Sequence, residues 1–176
     1  MESNMEFFKF MQRQIKQLYL TFKPEEEICD YIRRIGKEGN IHKETKSFIK
    51  QFLNNKNYKT IEECKVFKHP TFDSRIADIY AEKNNKYFYD VEIQCSDISF
   101  NDFLDRYIYW RTFEANDIVC VKPIWFFDSK LANSSDMHYI KKLDFNGLYY
   151  FSYINGEYSF FKINDLEEVK LSDIFK

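Results

Sequence analysis

Two runs of alternating character, RIADIYAE at residues 75–82 and YFYDVEIQ at residues 87–94, are separated only by Lys83-Asn84-Asn85-Lys86. β-Branched and aromatic residues alternating with polar ones suit a pleated surface, and a short polar break between two such runs predicts a hairpin. Each run carries a carboxylate in an apolar setting, Asp78 between Ala77 and Ile79 and Glu92 between Val91 and Ile93. Such groups are costly to bury unless paired or bound to a metal. Alternation also allows both to point to solvent from a half-exposed sheet. The turn discriminates between registers. Setting Asp78 opposite Glu92 requires an odd-length or bulged connection, whereas a two-residue Asn84-Asn85 turn sets Asp78 opposite Val91 and sends Glu92 to the other face.

The neighbouring segments extend this hairpin into an α/β pattern. TIEECKVFK at 60–68 reads as a preceding strand, and Ser99 with Asp102 three residues on gives a capping-box-like start to the helix FNDFLDRYIYWRTF. PIWFF, led by Pro123, then reads as a buried strand, so strand, helix and strand imply a parallel crossover. Upstream, Phe7, Met11, Ile15, Leu18 and Phe22 line one face of a helix over 5–21, and Ile28, Tyr31, Ile32 and Ile35 line a second, the two forming an N-terminal helical pair. Asn40 is placed to cap a third helix with an apolar side of Ile41, Phe48, Ile49, Phe52 and Leu53 and a polar side of His42, Lys43, Lys46 and Lys50. Near the C-terminus, Asn155-Gly156 between YYFSYI and EYSFFKI marks a second hairpin, and DLEEVKLSDIF closes the domain as a short helix or ordered arm.

Composition supports a single domain over 1–176, divided into N-terminal helices (1–39), a core (40–127) and a C-terminal hairpin extension (128–176). With 44% hydrophobic and 19% aromatic residues, the chain has enough apolar surface to fold without staples. Cys29, Cys64, Cys95 and Cys120 stand singly, which excludes a zinc ribbon by spacing and predicts reduced thiols. No apolar run is long enough to span a membrane and no secretory leader is legible, so a cytoplasmic protein is expected. Charge is unevenly distributed: residues 33–70 carry ten Lys/Arg against four Glu, and residues 71–127 carry six Lys/Arg against ten Asp/Glu. A basic flank beside an acidic centre suits a polyanion held over a cation site, and it also arises from solvated faces that differ by chance.

Asp78, the run Glu92-Ile93-Gln94, Ser96, Ile98-Ser99, Arg106, Trp110 four residues on and Trp125 in the following strand together resemble the CoiA-like competence nuclease family. That family is a branch of the PD-(D/E)XK, restriction-endonuclease-like superfamily. The resemblance spans roughly residues 40–127, with His42 and Lys46 falling on a His-x-x-x-Lys pattern and Glu62-Glu63 near an upstream carboxylate strand. It implies a mixed β-sheet core flanked by helices and a link to DNA uptake, recombination or processing. A phage or defence setting is equally compatible.

On this resemblance Asp78 and Glu92 are the ligands of Mg²⁺ or Mn²⁺, a cation that polarises the phosphoryl oxygen and activates water. Gln94 occupies the position usually held by Lys in the superfamily. It can orient water or phosphate but supplies no charge and no general base. Glu63 is the chosen further catalytic acid, with Glu62 and Glu44 as alternatives. His42, Lys46 and Arg106 are the expected nucleic-acid contacts; a solvated basic face is the other reading of the first two, and pairing with Asp102 or Asp105 that of Arg106. The aromatics of the C-terminal hairpin could stack on bases or fill the core. The expected partner is DNA, with RNA not excluded, together with a possible homodimer or DNA-processing protein. The rival function is a nuclease-fold binding module without turnover, acting on nucleic acid or a protein partner.

Overall fold

The computed structural model describes residues 39–69, 72–84, 86–104, 121–143 and 145–176; the expected N-terminal helices, Arg106 and Trp110 lie outside them. Helix α1 (Asn40–Asn55) leads into strands β1 (Lys59–His69), β2 (Phe72–Lys83), β3 (Tyr87–Gln94) and β4 (Val121–Asp128). A 3-10 turn (Ser129–Asn133) and helix α2 (Ser135–Ile140) precede β5 (Leu148–Ile154), β6 (Glu157–Lys162), β7 (Glu168–Val169) and helix α3 (Leu171–Ile174). The strands form one seven-stranded sheet in sequence order. Pairing is antiparallel at both margins and parallel for β3–β4 and β4–β5, giving the mixed sheet of an α/β fold.

The parallel β3–β4 pair is the expected consequence of the crossover through the helix that begins at Phe100. Ser99 opens that helix, its hydroxyl accepting from the Asp102 amide at 3.1 Å and donating to the Asp102 carboxylate at 2.7 Å. The helix-opening prediction for Asn40 is corrected by one position. Gly39 is the N-cap and Asn40 the first helical residue, with no side-chain capping bond at that end.

The alternation of the strands sorts two cores onto the two faces of the sheet. On one face Ile79, Val91, Phe126, Phe151 and Phe160 pack against Ile49 and Leu53 of α1 and Leu171 and Ile174 of α3. On the other, Trp125, Phe127, Leu148 and Tyr150 pack against Phe103, Leu131, Met137 and Ile140. Burying each such side chain contributes about 1.5–3 kcal/mol, which is what holds α1 across the sheet. Only part of its predicted apolar side is used for this: Phe48 stays largely at the surface and stacks on Tyr158 of β6 at 4.3 Å between ring centroids.

The C-terminal strands continue the sheet rather than decorate it. β5 joins β4 in parallel, and the β5–β6 turn is the two-residue Asn155-Gly156 connection, both residues having positive φ. Most of the hairpin aromatics go to the core: Tyr150, Phe151 and Phe160 are buried, while Tyr153 stays exposed and packs on Tyr158. Entry to β5 depends on Gly147, whose carbonyl accepts from the Trp125 amide at 2.7 Å. A Cβ there would lie 2.1 Å from the Pro123 carbonyl oxygen, so no larger residue fits.

Candidate active site

The β2–β3 hairpin pairs Lys83 with Tyr87 and Ile79 with Val91, leaving residues 84–86 as a three-residue connection. Asn84 takes a positive φ of 57°, and the Lys86 amide donates to the Lys83 carbonyl at 3.1 Å. This is the odd-length connection that the alignment of the two carboxylates requires. The paired register ends at Ile79 and Val91, one residue short of Asp78 and Glu92.

At that step the backbone ladder stops. The Ile93 amide donates instead to Oδ2 of Asp78 at 2.6 Å, so a carboxylate takes the place of a strand carbonyl. The other oxygen, Oδ1, lies 3.4 Å from Nε2 of His42 on α1. On the opposite side, β1 pairs Glu62 with Ile79 and Cys64 with Ala77, which sets Glu63 opposite Asp78. Asp78 and Glu63 meet His42 and Lys46 of α1, whereas Glu92 is in register with Trp125 of the core on the other face of the sheet.

The rung is distorted at Glu63. Ile79 faces α1, so its neighbour Glu62 faces α1 through the ordinary pleat and Glu63 would point away. Glu63 instead adopts a left-handed φ of 48°, and its Oε1 lies 3.0 Å from Nζ of Lys46. Glu62 meets Lys50 at 2.5 Å. Successive residues of β1 thus both engage a single stripe of α1, formed by His42, Lys46 and Lys50 at helical spacing.

Burial separates these pairs. The Lys46 and Glu63 side chains are each 5% exposed, whereas Lys50 is 37% exposed. A buried cation and anion compensate one another only when both are present, and removing either leaves an expensive charge. Lys46 is therefore not on the solvated face that the helix pattern predicted, and the structure places it against a site carboxylate rather than toward open solvent.

Glu92 is buried beside Trp125, its register partner on β4. Gln94 ends β3 with its amide turned onto the following loop, Nε2 donating to the Ser96 carbonyl at 2.8 Å and approaching its hydroxyl at 3.3 Å. The structure thus brings His42 onto Asp78 and Lys46 onto Glu63, sets Glu92 against Trp125, and ends β3 at Gln94. Lys50 and Glu62 form a pair that sequence reading did not join, Glu62 having been weighed only as an alternative to Glu63. The signal was present, since Lys50 continues the four-residue spacing of His42 and Lys46. Asp90, fully buried, was also overlooked, although it stands two residues before Glu92 and so shares its face.

The hard oxygens of Asp78 and Glu92 are suitable donors for Mg²⁺ or Mn²⁺, which bind through one or two carboxylates and retain several waters. Among the described residues no three His, Cys, Asp or Glu side chains converge as a metal cluster. A cation there would rest on these two carboxylates, with water and phosphate as its remaining ligands.

No helix among the described residues is long and apolar enough to cross a membrane. Comparison with known proteins finds the family described as competence protein CoiA, nuclease-like domain, over residues 38–176. No curated protein and no solved structure matches the chain.

Proposed function

This chain belongs to the CoiA nuclease-like domain family, and from that membership we propose that it is a divalent-cation-dependent nuclease hydrolysing DNA phosphodiester bonds. The observation that carries the reading is Asp78 where the β2–β3 ladder gives way, its carboxylate accepting from the Ile93 amide, with Glu92 buried one residue beyond the last paired rung. Carboxylates at the end of an otherwise apolar hairpin are costly to bury unless they are paired or bound to a metal.

Asp78 and Glu92 would hold Mg²⁺ or Mn²⁺, which supplies Lewis-acid polarisation of the phosphoryl oxygen and a lowered pKa for water. Glu63 is the further acid in this reading, its carboxylate held by Lys46. His42 stands beside the Asp78 carboxylate, its Nε2 3.4 Å from Oδ1. Gln94 orients phosphate or water at the end of β3, and its hydrogen bonds to Ser96 set the direction of its amide. Arg106 is retained as a nucleic-acid contact on its sequence motif alone.

A second reading, a nuclease-fold binder without turnover, is favoured by the uncharged Gln94 and by the partners that Asp78 and Glu63 already engage, the Ile93 amide and Lys46. Calorimetric Mn²⁺ binding to wild type and to the Asp78→Ala/Glu92→Ala variant, with cleavage assays on single- and double-stranded DNA and RNA, separates the two. Binding and cleavage that vanish together in the variant are expected. A folded wild type that binds no Mn²⁺ and cuts nothing supports the binder instead.

A further inference from the structure

Exposed rings gather in two places, one on each side of the sheet. On the side of α1, Phe48 and Tyr153 both pack on Tyr158. On the other side Tyr139 of α2 is 53% exposed. Helical spacing explains its position: Met137 and Ile140 turn into the core, so His138, Tyr139 and Lys142 face outward. The Tyr139 ring is held in place, with the Phe100 ring 5.6 Å away, the His138 ring edge-on at 5.7 Å and Nζ of Lys142 5.6 Å from its centroid. A side chain already fixed by its neighbours gives up little rotamer freedom when a ligand stacks on it.

Charge distinguishes the two groups. Glu44, one helical turn before Phe48, and Glu157, next to Tyr158, are both exposed and disfavour a polyanion there. Around Tyr139 the balance reverses, because over residues 129–143 Lys130, Lys141, Lys142 and His138 stand against Asp136. The Asp136 carboxylate is engaged with the Phe100 amide at 2.9 Å. Lys130 pairs with Asp128 at 3.0 Å and Lys141 donates to the Ala132 carbonyl at 3.2 Å, which leaves Lys142 as the cation beside the ring. This surface is continuous with the candidate site. Phe100 begins the helix that follows the Gln94 loop, Phe103 on its next turn meets Trp125 at 4.9 Å, and Trp125 is the register partner of Glu92.

We propose that Tyr139 and Lys142 bind an unpaired nucleic-acid strand, Tyr139 stacking on a base and Lys142 meeting an adjoining phosphate. As a contact for the substrate of the candidate site this rests on the nuclease reading above; as a binding surface it needs no turnover. Bases in a duplex are already stacked on one another, so an exposed ring takes a base from a single strand. Every base has a π-face, so the contact carries little sequence preference.

The test is fluorescence anisotropy with a labelled oligothymidylate, an oligouridylate of the same length and a duplex DNA, in EDTA so that no cation-dependent cleavage intervenes. Tyr139→Ala is expected to weaken single-strand binding by about 5–150-fold and duplex binding by less than about twofold, and Tyr139→Phe to restore the single-strand affinity. Lys142→Ala is expected to lower the slope of log affinity against log salt by about 0.7. The tighter of the two single strands identifies the sugar. Both side chains are exposed, so each variant is expected to melt near wild type. With Mn²⁺ present, Tyr139→Ala is expected to raise KM for single-strand cleavage more than it lowers kcat.

Single-strand binding that is unchanged in Tyr139→Ala, or a loss that is equal on the duplex, overturns the proposal. So does a Tyr139→Phe variant as weak as Tyr139→Ala, which gives the role to the hydroxyl and not the ring. An unchanged salt slope in Lys142→Ala overturns the phosphate contact. A wild type that binds no single strand overturns the whole proposal, and leaves the nuclease reading intact if duplex DNA is still cut with Mn²⁺. Tyr139-dependent binding by a wild type that neither takes up Mn²⁺ nor cleaves removes the nuclease reading and leaves this surface standing.

Discussion

Ile93 gives its backbone amide to the Asp78 carboxylate at 2.6 Å, at the point where a closed hairpin would offer it a main-chain carbonyl. The bond holds β2 and β3 together while letting them part, which leaves room beside Asp78. Asp78 therefore has a structural task as well as its proposed chemical one.

The two tasks separate by substitution. Asp78→Ala leaves the Ile93 amide without its acceptor and is expected to destabilise the fold by about 1–3 kcal/mol, whereas Asp78→Asn keeps an oxygen there and costs less. Both are expected to abolish Mn²⁺ binding. Urea denaturation alongside calorimetry checks this, and equal stability of the two variants would refute the structural task.

The pairs made by Lys46 and Lys50 look alike in sequence but differ in burial. Lys50→Ala is expected to lose no more than about 1 kcal/mol, and Lys46→Ala about 3–5 kcal/mol because it removes the ammonium from beside a buried carboxylate. Double-mutant cycles with Glu62→Gln and Glu63→Gln provide the measurement. Similar coupling energies would contradict the burial argument.

Gly147→Ala places a methyl group against the Pro123 carbonyl at the start of the β4–β5 pair. The backbone must shift to relieve it, so a loss of at least about 1–3 kcal/mol is expected. Thermal melting checks it. Gly39→Ala is the control, since nothing lies near a Cβ there.

Alkaline pH should unfold the protein through its buried phenols. Burial raises Tyr58 and Tyr150 to about 12, from a usual value of 10.0. Below pH 10 both are protonated whether the chain is folded or not, and their contribution is fully present. Between pH 10 and 12 the unfolded chain releases protons that the folded chain retains, so stability falls as pH rises and the contribution is gone above 12. Tyr58 also donates to the Lys176 carbonyl at 2.6 Å, whereas the Tyr150 hydroxyl has no partner among the described residues. Tyr150→Phe should therefore leave stability near pH 7 almost unchanged and flatten its alkaline decline. Urea midpoints across this range test the sign.

Much of the framework was legible because it depends on local periodicity. The β2 and β3 runs, the Ser99 start of the following helix and the Asn155-Gly156 turn are each specified by residues close in sequence. The odd-length connection followed from requiring two carboxylates to share a rung. Local rules failed at Asn40, where the cap moved to Gly39, and at Lys46, where helical spacing located a polar stripe without showing what covers it.

By itself the sequence determined the alternation of strands and helices, the candidate acids Asp78 and Glu92, and the family to which those residues point. Tertiary structure alone decided which residues share the site. Glu63 lies fifteen residues before Asp78 and reaches the helix side only because its backbone leaves the pleat, and Lys46 becomes buried only when α1 lies across β1. The reason is physical: periodicity records which side of an element a residue occupies, but burial, ion pairing and the opening of a hairpin depend on the elements packed against it.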